Sequence, residues 1–281
     1  MNAVCILANN MDFFKHQVDN YLPECDILVC NETRIGNKID EIKTLLPRAI
    51  IIDSQDVVKE FSKICDTPFL HSYTMGMNIL LQWYVFKHYN YDKVLFTEED
   101  VLFTPDIMNI FNEDHNLFCV WTFAAYCMNY DKLKNLKKEY VDEFDKIFNL
   151  HFTSENFGYV WKNTHIASGQ RLYIRDKFDI DTYIKYLIAF YSSKIFEACW
   201  DCRKSHRSYF LDERFEGFYA YKLGYLNGDI WKYTHLEIGK PEKVDFNKYK
   251  KIKTCGGIWH NAAMSHKYKW YENLKNYGLI N

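Results

Sequence analysis

Tyr91-Asp-Lys-Val-Leu-Phe-Thr-Glu-Glu-Asp-Val-Leu-Phe-Thr-Pro105 is the stretch whose reading decides the fold. Val94-Leu-Phe96 and Val101-Leu-Phe103 are short β-branched and aromatic runs, the pattern of buried strands. Between them stand Glu98, Glu99 and Asp100. Adjacent carboxylates repel one another and lose hydration wherever they are buried, so they call for a positive partner. A divalent cation, Mn²⁺ or Mg²⁺, supplies one, because both favour oxygen ligands and are readily shared with phosphate. A solvated acidic turn joining two strands has the same letters, but the apolar runs on both sides favour the metal.

Working outward, the same strand signature recurs upstream. Val4-Cys-Ile-Leu-Ala8 stops at Asn9-Asn10-Met11, and Asp26-Ile-Leu-Val-Cys30 stops at Asn31-Glu32-Thr33-Arg34. Ala49-Ile-Ile-Ile-Asp53 is a third run, with helical or mixed segments over 13–21 and 40–46. Strands alternating with helices predict an α/β fold with a mostly parallel sheet and helices on both faces. Ligands of such sheets bind beyond the carboxyl ends of the strands, where Asn9, Asn10, Glu32 and the 98–100 triplet would converge. Downstream, residues 73–89 predict a buried helix and 118–123 a strand. Apolar residues spaced by three or four predict an amphipathic helix over 132–150. A further helix is expected over 183–199, with Tyr183, Tyr186, Leu187, Phe190 and Tyr191 on one side. No linker, repeat or low-complexity tract divides the 281 residues.

Composition excludes several partners. A formal charge of -2 leaves no basic footprint for nucleic acid. The most apolar window, 75–86, is too short for a bilayer and is interrupted by Asn78 and Gln82. Met1-Asn-Ala-Val-Cys-Ile-Leu-Ala is not a secretory signal. The 9 cysteines are an odd number without framework spacing. Cys199 and Cys202 form a C-x-x-C with no second pair to complete a zinc site, so reduced thiols and a cytoplasmic protein are expected.

These features together resemble the GT-A fold of nucleotide-sugar-dependent glycosyltransferases, over most of the chain and through dispersed features. Glu98-Glu99-Asp100 stands where that family carries its D-x-D motif, departing by Glu for the first Asp. The resemblance implies one GT-A-like domain over 1–281, with a nucleotide-sugar-binding half over 1–125 and an acceptor-binding, catalytic half over 126–281. It implies that Asp100 holds the metal bridging the donor diphosphate, and that Glu98 binds the metal through water or the donor's ribose. Asn9, Asn10 and Glu32 would hold the nucleoside, and Arg34 would meet phosphate. The same residues also make ordinary polar loops.

Two later stretches carry the resemblance further. His165-Ile-Ala-Ser-Gly-Gln-Arg-Leu-Tyr173 looks like the small-residue segment beside the donor sugar, where Ser168 and Gly169 would let the backbone approach. A plain turn before a strand is the alternative. Phe210-Leu-Asp-Glu-Arg-Phe-Glu-Gly-Phe-Tyr-Ala-Tyr-Lys-Leu-Gly224 looks like the acidic motif that opens a helix beneath the acceptor. There Asp212 or Glu213 would act as general base in an inverting transfer, or simply favour the helix N-terminus. Near the end, Gly256-Gly257-Ile-Trp-His260 implies a glycine hinge carrying a histidine into the metal shell, with Lys267 or Lys269 meeting phosphate.

The function so implied is metal-dependent transfer of a sugar, hexosyl or pentosyl, from a UDP- or GDP-sugar to a glycan hydroxyl. UDP is the favoured nucleotide. The size and the Tyr-, Phe-, Asn-, Lys- and Ile-rich composition are similar to such enzymes of large DNA viruses or of bacterial polysaccharide synthesis. Two alternatives stand beside it. One is a GT-A-like carbohydrate-binding protein without catalysis. The other is a nucleotidyltransferase, which would normally carry a Gly-rich basic loop that Asn9-Asn10-Met11-Asp12 lacks.

Overall fold

The computed structural model describes residues 1–32, 36–67, 77–99, 101–120, 143, 145–151, 166–193, 211–224, 233–236 and 258–260. For 102, 119–120, 166–169, 211–214, 234–236 and 258–260 it describes the main chain alone. Strands β1 (Asn2–Ala8), β2 (Asp26–Asn31), β3 (Ile50–Asp53) and β4 (Lys93–Glu98) pair in parallel. β5 is Leu102–Phe103 and β6 is Leu117–Val120. β7 (Ile166–Ile174) runs antiparallel to both β4 and β6. The sheet order is β3-β2-β1-β4-β7-β6, the mixed, mostly parallel sheet expected from the sequence.

Because successive strand residues face opposite sides, β1 feeds two cores. Ala3, Cys5 and Leu7 face one; Val4, Ile6 and Ala8 face the other, and all are buried. Strands covered on both faces read as continuous apolar runs, which is why they are visible in the sequence. The first core is roofed by helices α3 (Ser54–Phe61), α4 (Met77–His88), α5 (Ile180–Tyr191) and α6 (Leu211–Lys222). The second is closed by α1 (Met11–Asp19), α2 (Ile39–Leu45) and a 3₁₀ helix, Pro105–Asn112.

Caps explain where the helices depart from the periodicity. Asn10 accepts from the N–H of Asp12 and Phe13 at 3.0 and 3.2 Å, starting α1 at Met11. Asp179 does the same for Asp181 and Thr182, so α5 begins at Ile180; it runs to Tyr191, and residues 194–199 of the expected helix lie outside the described residues. Tyr183, Leu187, Phe190 and Tyr191 are buried as the spacing predicts. Most of the helix expected over 132–150 lies outside the described residues, as do Cys199 and Cys202.

α4 is apolar on every side and therefore sits inside, packed on α3, α5 and α6. Its C-terminal end is held by Arg175, whose guanidinium donates to the carbonyls of Phe86 (3.2 Å), Tyr89 and Tyr91 (2.8 Å). The Arg175 N–H also donates to the carbonyl of Asp92 at 2.8 Å. Cys5, Cys25, Cys30 and Cys65 are free thiols. Burial holds Cys5 and Cys30 well above the ordinary thiol range, so both pack as small apolar groups. Among the described residues no helix is long and apolar enough to cross a membrane.

Candidate active site at the strand ends

Parallel pairing in register brings the ends of β1 to β4 to one edge. Ala8 lies opposite Asn31, Asn31 opposite Asp53, and Leu7 opposite Glu98. Asn9, Glu32 and Glu98 are thereby brought together along this edge, as the sequence implies. Glu32 is fully buried, and its N–H donates to the carbonyl of Ala8 at 3.2 Å. Asn31 is buried and accepts from the Lys38 N–H at 3.0 Å. Arg34 lies outside the described residues.

Asn10 shows how a site residue and a structural one can share a position. Its side-chain oxygen is taken by the helix cap, which by itself is worth about 1 kcal/mol. Asn10→Asp should therefore keep the stability of the parent, and Asn10→Ala should lose about 1 kcal/mol in urea unfolding. A weaker nucleotide affinity in Asn10→Asp at unchanged stability would assign the amide nitrogen to the donor. Equal affinity would leave Asn10 a cap.

The acidic turn is built more specifically than its sequence suggests. β4 continues through Thr97 and Glu98, and the Val101 N–H closes the turn on the Glu98 carbonyl at 3.4 Å. Gln17, buried on α1, donates to the carbonyls of both Glu98 (3.3 Å) and Val101 (2.8 Å). Asn78, at the start of α4, donates to the Glu98 carboxylate at 3.0 Å. An uncharged amide thus orients this carboxylate by a hydrogen bond, without neutralising it. Glu99 is buried, and Asp100 lies outside the described residues. Among the described residues, no three His, Cys, Asp or Glu side chains gather as a metal shell.

Downstream of the turn, β5 belongs to a second sheet, β5-β9-β8, formed with β8 (Thr234–Leu236) and β9 (Ile258–His260). His260 is part of this sheet. Its main chain ends a strand paired with Leu236, where the glycine pair predicts a hinged loop. Antiparallel pairing sets Trp259 opposite Leu102 and Ile258 opposite Phe103. Gly256, Gly257, Lys267 and Lys269 lie outside the described residues.

Ser168 and Gly169 fall inside β7 and not in a turn before it. Leu117 and Phe118 pair with Leu172 and Arg171, but Val120 pairs with Ile166, so the register shifts across this segment. A glycine in a strand interior commonly marks such a bulge. Asp212 and Glu213 occupy the first turn of α6, their side chains outside the described residues.

α4 and α6 pack against each other. Gln82 of α4 donates to Glu216 of α6. Farther along, Phe86 packs on Phe178, which in turn sits edge-on against Tyr219 of α6. One helical turn back from the Gln82–Glu216 contact stand Asn78, which holds Glu98, and the main chain of Asp212. Gln17, Asn78, Gln82 and Glu216 are not singled out by the sequence as site residues. A signal is present all the same: Asn78 and Gln82 are the polar positions of an otherwise apolar window, one turn apart.

No protein-family description matches the chain, and no curated protein matches it by sequence. Solved structures do match by shape. Mouse xyloside xylosyltransferase 1, apo form, superposes with a TM-score of 0.52 at 9% identity, over 92% of this chain and 97% of that one. The bifunctional glycosyltransferase WbbM, apo, gives a TM-score of 0.54 at 10% identity, over 98% of this chain and 50% of that one. The chain therefore spans about half of WbbM. With its strand order and its acidic turn after the fourth strand, the chain has the fold of the GT-A glycosyltransferases.

Proposed function

We propose that this chain is a metal-dependent glycosyltransferase, moving a sugar from a nucleoside diphosphate sugar, UDP- or GDP-linked, to a glycan hydroxyl. What supports this reading is that the parallel register brings Asn9, Glu32 and Glu98 to one edge, where buried Gln17 and Asn78 hold the acidic turn at the end of β4. In this reading Asp212 or Glu213, in the first turn of α6, would stand across from the metal carboxylates. Residues 1–125 would hold the donor and 126–281 the acceptor.

The residues present fit a hard cation. Carboxylate oxygens suit Mn²⁺ or Mg²⁺ and an added imidazole nitrogen suits Mn²⁺, and the strand that ends at His260 pairs with β5, the strand just after the acidic turn. Asp100, Glu98 and His260 would hold the ion, and when bound it supplies positive charge against the departing diphosphate. Asn9, Asn10 and Glu32 would orient the nucleoside from the ends of β1 and β2, with Arg34 and Lys267 meeting phosphate. The main chain at Ser168 and Gly169 would lie along the sugar. Asp212 or Glu213 would take the proton of the acceptor hydroxyl as its oxygen forms the new bond.

Calorimetric titration with UDP and GDP, with and without Mn²⁺, followed by a donor-sugar and acceptor screen, tests this. Mn²⁺-dependent nucleotide binding with sugar transfer is the expected result. No nucleotide binding under any condition would overturn the reading. Binding with neither donor hydrolysis nor transfer would point to a carbohydrate-binding protein.

A further inference from the structure

Four side chains from four elements meet between the helices and the sheet. Arg171 of β7, Glu216 of α6, Gln82 of α4 and Tyr183 of α5 are all fully buried. The Tyr183 hydroxyl donates to the Gln82 oxygen at 2.7 Å, which turns the Gln82 nitrogen toward Glu216. The other Glu216 oxygen pairs with Arg171. Nε and Nη1 of Arg171 have no hydrogen-bond partner among the described residues.

Such an arrangement is a poor way to gain stability. A buried ion pair loses hydration on both sides, and apolar residues of similar volume often serve as well or better. What a linked pair adds is position. Apolar surfaces tolerate sliding, whereas a carboxylate shared between an amide and a guanidinium accepts one arrangement. Each partner here leads to a different part of the candidate site. Gln82 lies one turn below Asn78, the residue that holds Glu98. Glu216 lies one turn below Asp212. Arg171 directly follows the bulged segment containing Ser168 and Gly169.

We propose that Arg171, Glu216 and Gln82 form a positioning device. It fixes the position of α6 against α4 and β7, and through them the place of the first turn of α6 relative to the strand ends. The inference rests on the glycosyltransferase reading for its catalytic consequence, but its structural half does not.

The test is the triple variant Arg171→Met, Glu216→Leu, Gln82→Met, which removes both charges and leaves none buried alone. Tyr183 keeps an acceptor in the carbonyl of Ile79 at 3.3 Å. The expected result is an equal or higher Tm with Mn²⁺-dependent donor affinity retained. In the same protein kcat falls about tenfold or more, and amide exchange of residues 215–219 speeds by about tenfold. A folded triple variant with parental exchange and parental kcat overturns the proposal. Gln82→Met alone, which leaves the ion pair intact, should show the same exchange change in smaller degree, and it decides the matter should the triple variant fail to fold. If the parent transfers no sugar, the functional reading fails, while the exchange experiment still decides whether this cluster sets the position of α6.

Discussion

Asp100→Ala is expected to abolish the Mn²⁺-dependent part of nucleotide affinity while leaving the fold intact. The reasoning starts from the two apolar runs that hold three carboxylates between them. Gln17 holds the turn through the carbonyls of Glu98 and Val101, and Asn78 engages Glu98, so the turn has supports of its own. Far-UV circular dichroism and Tm should accordingly match the parent. A carboxylate that binds the ion directly carries much of its affinity, and loss of the ion removes the bridge to the diphosphate. His260→Ala should weaken binding less, because one neutral ligand leaves the oxygen ligands in place. Equal, metal-independent UDP and GDP affinities in parent and Asp100→Ala would remove Asp100 from the metal site.

The second large effect concerns proton transfer. Asp212→Asn and Glu213→Gln are nearly isosteric, and both preserve a polar first turn in α6. The variant that removes the base should bind donor and Mn²⁺ normally yet transfer sugar about 10²–10⁴-fold more slowly. A drop in kcat without a rise in KM for the donor separates this from a displaced helix. Near-parental turnover in both variants would reduce the pair to helix-terminal acids. A base in this role accompanies inversion at the anomeric carbon, so NMR of the product is an independent check. Retention there would take the base assignment away from Asp212 and Glu213.

The parallel half of the sheet was legible because its strands are buried on both faces. Residues such as Val4-Cys-Ile-Leu have no polar partner to hide the pattern. The acidic turn was legible for the opposite reason, since charge between buried runs stands out. What stayed hidden was pairing. Thr234–Leu236 and Ile258–His260 are three-residue strands far apart in the chain, and nothing local in them names β5 as a partner. The placement of His260 on a strand therefore could not be read from Gly256 and Gly257. Buried amides were hidden too. Asn78 and Gln82 served in the sequence only to argue against a membrane helix, because hydrophobic periodicity reports burial and not which polar group waits opposite. Gln17 stands in a segment read only as helical or mixed, although it is fully buried.

The grip of Arg175 on the carbonyls of Phe86, Tyr89 and Tyr91 has a consequence for how such a protein can change over time. It pins α4 and the start of β4 at the end of the sheet remote from the acidic turn. Insertions and substitutions in the loops at the opposite end can then alter what is recognised without loosening the anchor. Variation in specificity and constancy of the scaffold are thereby assigned to opposite ends of the same helix.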